Sequence, residues 1–330
     1  VELHGANPAT SGAGQSVQKY RKHAIFLQDQ WNLIDDKLML IGGLRYESAT
    51  TPALFRDRWF PRISGVYRAR NNLTFRAAWH KAARYPSFSE LYQDSSFLNA
   101  ETPFGSIELA RFVPNLDLQP ESIESYEIAA DVRLGERCQG NLSVVRNQIE
   151  DSIVIAYPQF TFENHPGDAR VQGLELQLRA QPYDWLETSV NWSLQTNKQT
   201  STGVDSGGSP LEFTYSPKHK LNLLISAVPT KNISANLEVN WKSETLAPSF
   251  WYPIAFGSPE VVPLDSFAYV NLKMVYQPPW LQRNEQRPLS LSLALRNLTN
   301  ERPYETLSGF GGRNAGRSGH VSVEYRWGSK

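Results

Sequence analysis

Leu186-Glu-Thr-Ser-Val-Asn-Trp-Ser-Leu194 alternates without a break: Leu186, Thr188, Val190, Trp192 and Leu194 fall on one face, Glu187, Ser189, Asn191 and Ser193 on the other. A period of two is the signature of a strand with one apolar and one polar side. The preceding stretch repeats it, with Leu174, Leu176 and Leu178 set against Glu175, Gln177 and Arg179. Leu73, Phe75, Ala77 and Trp79 alternate with Thr74, Arg76 and His80. Ile233 to Trp241, Leu289 to Leu295 and Val321 to Trp327 continue the pattern. Such runs approach the roughly 9–11 residues that a tilted strand needs to cross a bilayer.

The connections alternate too. Short ones fall at 34–37, 69–72, 135–140, 181–185 and 229–232, with a somewhat longer one at 277–288. Long ones fall at 48–58, 82–122, 152–169, 196–218, 243–265 and 299–318. Short turns at one end and long loops at the other are the topology of an outer-membrane barrel. A soluble up-and-down barrel has no reason to keep its long loops together. The fold expected over residues 1–330 is therefore all-β, a transmembrane antiparallel barrel of about thirteen strands. Bacterial single-chain barrels use even strand numbers, so an odd count reads as part of a larger wall. The first eighteen residues or so, rich in Gly, Ala, Ser and Asn, are expected to lead in from the long-loop side.

Composition agrees. Mean hydropathy is −0.44, and no apolar run reaches the ~18 residues of a membrane helix. A barrel hides its membrane face in alternation, so low hydropathy does not exclude it. Lys and Arg total 33, as do Asp and Glu, which gives no electrostatic footprint for nucleic acid. The single cysteine, Cys138 in a short connection, permits no internal disulfide. Aromatics form two belts: Trp31, Tyr67, Tyr276, Tyr325 and Trp327 near the short turns, and Tyr46, Trp79, Tyr126, Trp192 and Trp241 near the long loops. Paired belts mark the two membrane interfaces.

No catalytic or metal pattern stands out. HExxH, a P-loop and CxxC are absent, and the six histidines lack ligand spacing. Glu150 and Asp151 read as a solvated strand end, and Gly311 to Gly316 as a flexible loop. No cofactor is expected, and the chain is not expected to be an enzyme.

A series of short motifs resembles the barrel of TonB-dependent receptors. It comprises Ala24-Ile-Phe-Leu-Gln-Asp-Gln-Trp31, Leu40-Ile-Gly-Gly-Leu-Arg-Tyr-Glu47, Phe60-Pro-Arg-Ile-Ser-Gly-Val-Tyr67 and Arg84-Tyr-Pro-Ser-Phe-Ser-Glu-Leu-Tyr92. Asn115-Leu-Asp-Leu-Gln-Pro-Glu121, Ser125-Tyr-Glu-Ile128, Ile149-Glu-Asp-Ser-Ile153 and Val171-Gln-Gly-Leu-Glu175 follow in order. Arg296-Asn-Leu-Thr-Asn300 with Tyr304, then Gly316-Arg-Ser318, complete the series, which runs from about residue 20 to 327. The chain departs from the family at its end, where Trp327 stands in place of the usual final Phe and Gly328-Ser-Lys330 follows.

The resemblance implies the C-terminal part of a 22-stranded barrel with a plug in its lumen. The plug, and the box through which it meets the inner-membrane TonB complex, are expected upstream. Partners would be outer-membrane lipid, the TonB complex and an extracellular small molecule. The ligand expected is a scarce nutrient chelate, an iron–siderophore first, with cobalamin, haem and oligosaccharide open. A passive porin, a soluble β-rich module and an outer-membrane hydrolase are the rivals.

Two sets of residues follow from this reading. Facing the lumen and plug are Arg76, Glu175, Gln177, Arg179, Glu238 and Arg296. In the long loops, Phe250, Trp251, Tyr252, Arg84, Tyr85, Arg313 and Arg317 are candidates for the ligand, because aromatics offer area and arginine grips anionic oxygens.

Overall fold

The computed structural model describes residues 2–6, 17–50, 57–102, 105–156, 160–165, 167–199, 216–248, 261–281, 289–303 and 314–325. Along the chain the elements are β1 (Glu2–Ala6), β2 (Val17–Ile34), β3 (Leu38–Thr50), β4 (Arg58–Arg70), β5 (Leu73–Arg84) and a five-residue helix α1 (Phe88–Tyr92). Next come β6 (Ser95–Thr102), β7 (Gly105–Phe112), β8 (Glu121–Arg133), β9 (Cys138–Glu150), β10 (Ile153–Ala156), β11 (Thr161–Asn164) and β12 (Ala169–Tyr183). The rest are β13 (Leu186–Gln199), β14 (His219–Thr230), β15 (Ile233–Lys242), β16 (Thr245–Pro248), β17 (Val261–Leu264) and β18 (Phe267–Tyr276), a 3₁₀ turn at Pro279–Leu281, then β19 (Leu289–Arg296) and β20 (Ser318–Tyr325).

One antiparallel sheet of fourteen strands holds the molecule, in the order β1-β2-β3-β4-β5-β8-β9-β12-β13-β14-β15-β18-β19-β20. Thirteen of these are the long strands expected from the alternation. The fourteenth, β1, was read as lead-in. It pairs Glu2 to Ala6 with Val17 to Arg21, the overhang by which β2 outruns β3. Cys138 also differs from expectation: it is the first residue of β9, opposite Ala180, though still at the short-turn end. The long connections carry structure of their own, three separate hairpins β6–β7, β10–β11 and β16–β17.

Register turns alternation into surfaces. Tyr67, Phe75, Ala130, Leu142, Leu176, Trp192, Leu221, Trp241 and Ala268 oppose one another across nine strands. One residue along, Thr74, Asp131, Asn141, Gln177, Asn191, Asn222, Asn240 and Tyr269 form an equally continuous polar row. Among the described residues nothing packs over the apolar face: Ile128 is 66 % and Val144 52 % exposed. An exposed apolar surface this wide in water would aggregate; in hydrocarbon it is the stable arrangement. Trp31 lies so close to Gly42 on this face that a Cβ there would come within 2.9 Å of the indole. No helix among the described residues is long and apolar enough to span a membrane.

The polar face is the hollow one. A cavity of about 1050 Å³ opens on it near the short turns, lined among others by Arg68, Thr74, Asp131, Asn141, Gln177 and Asn191. Among the described residues, buried apolar packing is concentrated toward the opposite, long-loop end, where Leu118 and Pro120 are the largest fully buried side chains.

Candidate functional site

All six lumen candidates lie on the polar face. Arg76 pairs with Asp131 at 2.8 Å, and Asn141 donates to the same carboxylate at 2.7 Å. Arg179 meets Glu187 at 2.6 Å. Glu238 accepts from Asn240 at 3.0 Å and from Asn271 at 3.1 Å. Glu175 and Gln177 stand opposite Ser143 and Asn141 on β9, and Arg296 opposite Ser318 on β20. Exposed ion pairs of this kind contribute about 0–1 kcal/mol each. Their effect is to present a fixed mosaic of donors and acceptors to whatever fills the lumen.

At the long-loop end, three of the sequence motifs meet. Arg84 ends β5 and grips Glu121, the first residue of β8, through two bonds of 2.5 and 2.9 Å. It also donates to Glu90 at 3.0 Å. Glu90 closes the capping box of α1: Ser87 Oγ accepts from the Glu90 amide, and the Glu90 carboxylate accepts from the Ser87 amide at 2.7 Å. So short a helix is marginal by itself; the box and the arginine hold it. Glu121 further accepts from the Ile153 amide at 2.7 Å, which ties in β10. Asp151, just before, takes a left-handed φ of 55°, a conformation that Asp tolerates. The Glu150–Asp151 acid pair thus belongs to the bend that leaves β9.

A second knot lies alongside. Asn164 Nδ2 donates to the carbonyls of Gln119 at 2.8 Å and Asp151 at 2.7 Å, while its Oδ1 accepts from the Gln119 amide at 2.7 Å. Phe112 stacks on Phe162 and meets Phe160 edge-on, with centroids 6.1 and 6.2 Å apart. These contacts lock the connection between β5 and β8 to the one between β9 and β12. The combined loop packs on the lumen side of the wall. Leu91 and Leu118 bury Ala49 of β3, with Tyr85, Tyr92, Ile153 and Phe162 around them. Burial raises the Tyr92 hydroxyl pKa above its ordinary value. Lys22 sits 4.6 Å from the Tyr85 ring centroid and 2.6 Å from Glu47, a buried carboxylate that Arg45 also holds at 2.5 Å.

Arg84 and Tyr85, read as ligand candidates, are therefore engaged within the protein at the base of the loops. Arg317 is engaged as well: its guanidinium donates to the Leu298 carbonyl at 2.6 Å, and its amide to Asn300 Oδ1 at 3.0 Å. That contact belongs to a third knot. Asn297, buried and at φ 52°, accepts from the Glu301 amide and donates to the carbonyls of Glu301 and Ala315. Thr299 Oγ1 donates to the Ala268 carbonyl at 2.6 Å, and Glu301 accepts from the Ala268 amide at 2.8 Å. The outer half of β18, which β19 does not reach, is fastened by this loop. Phe250, Trp251, Tyr252 and Arg313 lie outside the described residues. Lys22, Glu47 and Asn164 were missed in the sequence. Each works through partners far along the chain, and no local pattern marks them.

Among the described residues no group of His, Cys, Asp or Glu is placed to hold a metal ion. What the geometry offers is a polar wall and, at one end, loops pinned inward over it.

The family model described as TonB dependent receptor-like, beta-barrel matches residues 3–298. Among curated proteins, the Heme/hemopexin utilization protein C of Haemophilus influenzae is 23 % identical, over 89 % of this chain and 42 % of that protein. Among solved structures, a ferric enterobactin receptor from Pseudomonas aeruginosa superposes with a TM-score of 0.69 at 19 % identity, covering 98 % of this chain and 49 % of that one. The ferripyoverdine receptor of the outer membrane of the same organism gives 0.69 at 17 % identity, covering 95 % and 39 %. The chain spans less than half the length of the curated relatives it matches.

Proposed function

Because this chain belongs to the TonB-dependent receptor family, as part of its β-barrel, and resides in the bacterial outer membrane, we propose that it takes up a scarce iron chelate, a siderophore complex, with energy delivered through TonB. The ligand is captured outside by the long loops. It passes inward when a plug, seated on Arg76, Glu175, Gln177, Arg179, Glu238 and Arg296, is moved by the inner-membrane complex. No covalent chemistry is needed. Binding is released by work done on the plug, so affinity and transport are not in conflict.

The observation that carries this reading is the interlocked mouth. The long connections gather at one end of the wall, and two of them are cross-fastened and turned over the polar face. An open pore for small solutes needs no such frame, whereas a bulky ligand held by many loop contacts does. Solved relatives of the same fold are named as receptors for ferric enterobactin and ferripyoverdine, which supports the siderophore class. Haem is the second reading, favoured by the haem-utilization name of the curated relatives.

The test is uptake by iron-starved cells with and without the full-length receptor, using labelled ferric siderophores of the catecholate and hydroxamate classes, haem and cobalamin. The expected result is receptor-dependent uptake of a siderophore complex that stops when TonB is deleted. Uptake of haem alone would select the second reading. Passage that ignores TonB would make the protein a pore.

A further inference from the structure

Two neighbouring strands part at the rim of the wall. β14 and β15 stay together as far as His219 and Ser243: the Ser243 amide donates to the His219 carbonyl at 2.9 Å, and the His219 amide to Ser243 Oγ at 3.1 Å. Beyond that pair the strands take different partners. The Lys218 carbonyl accepts from the Gln195 amide of β13 at 2.7 Å, while Thr245 ladders with Leu264 in the β16–β17 hairpin. The gap so opened is a cavity of about 680 Å³, lined among others by Ser216, Lys218, His219, Trp241, Glu244 and Thr245. That volume is within the range of small-molecule sites, roughly 300–1,000 Å³.

One group in this lining is unsatisfied. Thr245 is only 6 % exposed, and its Oγ1 meets no hydrogen-bond partner among the described residues. A buried hydroxyl is ordinarily bonded, because burial strips its water and returns nothing. A valine would suit β16 equally, since the strand pairs through its backbone. The hydroxyl therefore answers to something that enters the cavity. The other side chains define what that is. The His219 ring lies between Trp192 and Trp241, with centroids 5.9 and 6.3 Å away, so His219 and Trp241 offer a continuous aromatic floor. Ser216 Oγ accepts from Gln195 Nε2 at 2.7 Å, which leaves its own proton for another acceptor. Ser243 and Ser266 add two more hydroxyls. Lys218 and Glu244 bring one charge of each sign, so the lining as a whole selects neither an anion nor a cation.

We propose that this notch binds a neutral pyranose, one unit of a glycan. A sugar ring has a face of C–H bonds and an edge of hydroxyls, which is the complement of an aromatic floor walled by hydroxyl groups. The C–H face lies on Trp241 and His219, whose ring faces are electron-rich. The ring hydroxyls meet Ser216 and Thr245, and so satisfy the one buried donor that the protein leaves open. Few but fixed polar groups around an apolar surface are what orient a small ligand. The site does not rest on the identity of the transported chelate. A soluble oligosaccharide and a membrane glycolipid could both supply the sugar.

The experiment uses the full-length receptor purified in a detergent that carries no sugar. It is titrated calorimetrically with maltotriose, cellotriose and triacetylchitotriose, and with citrate and spermidine as charged competitors. The expected result is saturable binding of at least one trisaccharide, with neither charged compound displacing it. Thr245→Val should weaken that binding at least tenfold. The same variant should raise the urea midpoint of the sugar-free receptor, because the hydroxyl it removes is unsatisfied until a ligand arrives. Trp241→Ala should abolish binding; if that variant fails to assemble, Thr245→Val decides alone. Binding that survives Thr245→Val unchanged, or a midpoint that falls, would overturn the proposal. So would displacement by citrate or spermidine. So would failure of every trisaccharide, both free and as the same sugars carried on a diacylglycerol in nanodiscs. Binding confined to the lipid-borne form upholds the site and assigns the sugar to a glycolipid. Chelate uptake does not enter these readouts, so the proposed transport and this site stand or fall separately.

Discussion

The assignment of faces predicts opposite outcomes for two adjacent substitutions in β12. Leu176 stands between Leu142 and Trp192 in the middle of the exposed apolar wall, and is itself 36 % exposed. Gln177 stands between Asn141 and Asn191 and lines the polar cavity of about 1050 Å³. Leu176→Arg puts a guanidinium into hydrocarbon near mid-depth, at a cost of about 2–4 kcal/mol for a barrel strand. At 1.4 kcal/mol per factor of ten, the folded-to-unfolded ratio falls by roughly 30- to 700-fold. Gln177→Arg adds a cation to a hydrated face where Asp131 is within the same cavity, and should cost less than about 1 kcal/mol. The assay is folding of the full-length receptor into lipid vesicles under a urea gradient, read by the gel shift of the unheated barrel. Leu176→Arg should lower the midpoint and, with m unchanged, the extrapolated unfolding free energy by about 2–4 kcal/mol, and Gln177→Arg should leave both within error. Equal damage from the two would mean that the row assignment is wrong, since nothing but the face separates these neighbours.

Topology gives a second outcome: Thr102→Cys, beside the turn of the β6–β7 hairpin, should react with a membrane-impermeant thiol reagent on intact cells, whereas the native Cys138 at the short-turn end should react only after the outer membrane is opened. Asn164→Ala removes three hydrogen bonds that join two long connections, worth about 3 kcal/mol together; limited proteolysis of the loops should accelerate markedly while the barrel's gel shift stays unchanged. For ligand capture, Trp251→Ala with Tyr252→Ala should weaken binding of the transported chelate roughly thirtyfold, the effect of losing an aromatic anchor of about 2 kcal/mol, with assembly intact; unchanged affinity in a titration would move the site elsewhere in the loops.

The strands were legible because each had to keep one face apolar and the other polar, and because a turn of four residues and a loop of forty cannot be confused. β1 was not, since Glu2 to Ala6 has no such contrast and is only five residues long, pairing with the outer end of β2 alone. The hairpins inside the loops were hidden for a related reason: off the membrane neither face is constrained. At the mouth, Arg84, Glu121 and Ile153 were each recognised in separate motifs, but that they form one junction depends on contacts more than thirty residues apart. Arg84 was read as a grip for an anionic ligand. The acids that occupy it, Glu90 and Glu121, stand in the same two motifs, so the signal was present and the pairing was not. Arg317 is likewise engaged within the protein, its partner being a backbone carbonyl that sequence does not display.

The seam at β18 bears on how such a protein can change over time. Wherever two strands are laddered, the cohesion is backbone to backbone, and any side chain of suitable polarity will do. That is how a wall can keep its shape against solved structures only 15–20 % identical. At Phe267 to Asn271 the neighbouring strand is absent, and its place is taken by Asn297, Thr299 and Glu301 reaching across. Apart from the Leu298 amide on the Val270 carbonyl, the fastening there is written in particular side chains. A substitution at Asn297, Thr299 or Glu301 therefore unfastens this seam directly, whereas a like-for-like change within a laddered strand leaves its backbone bonds in place.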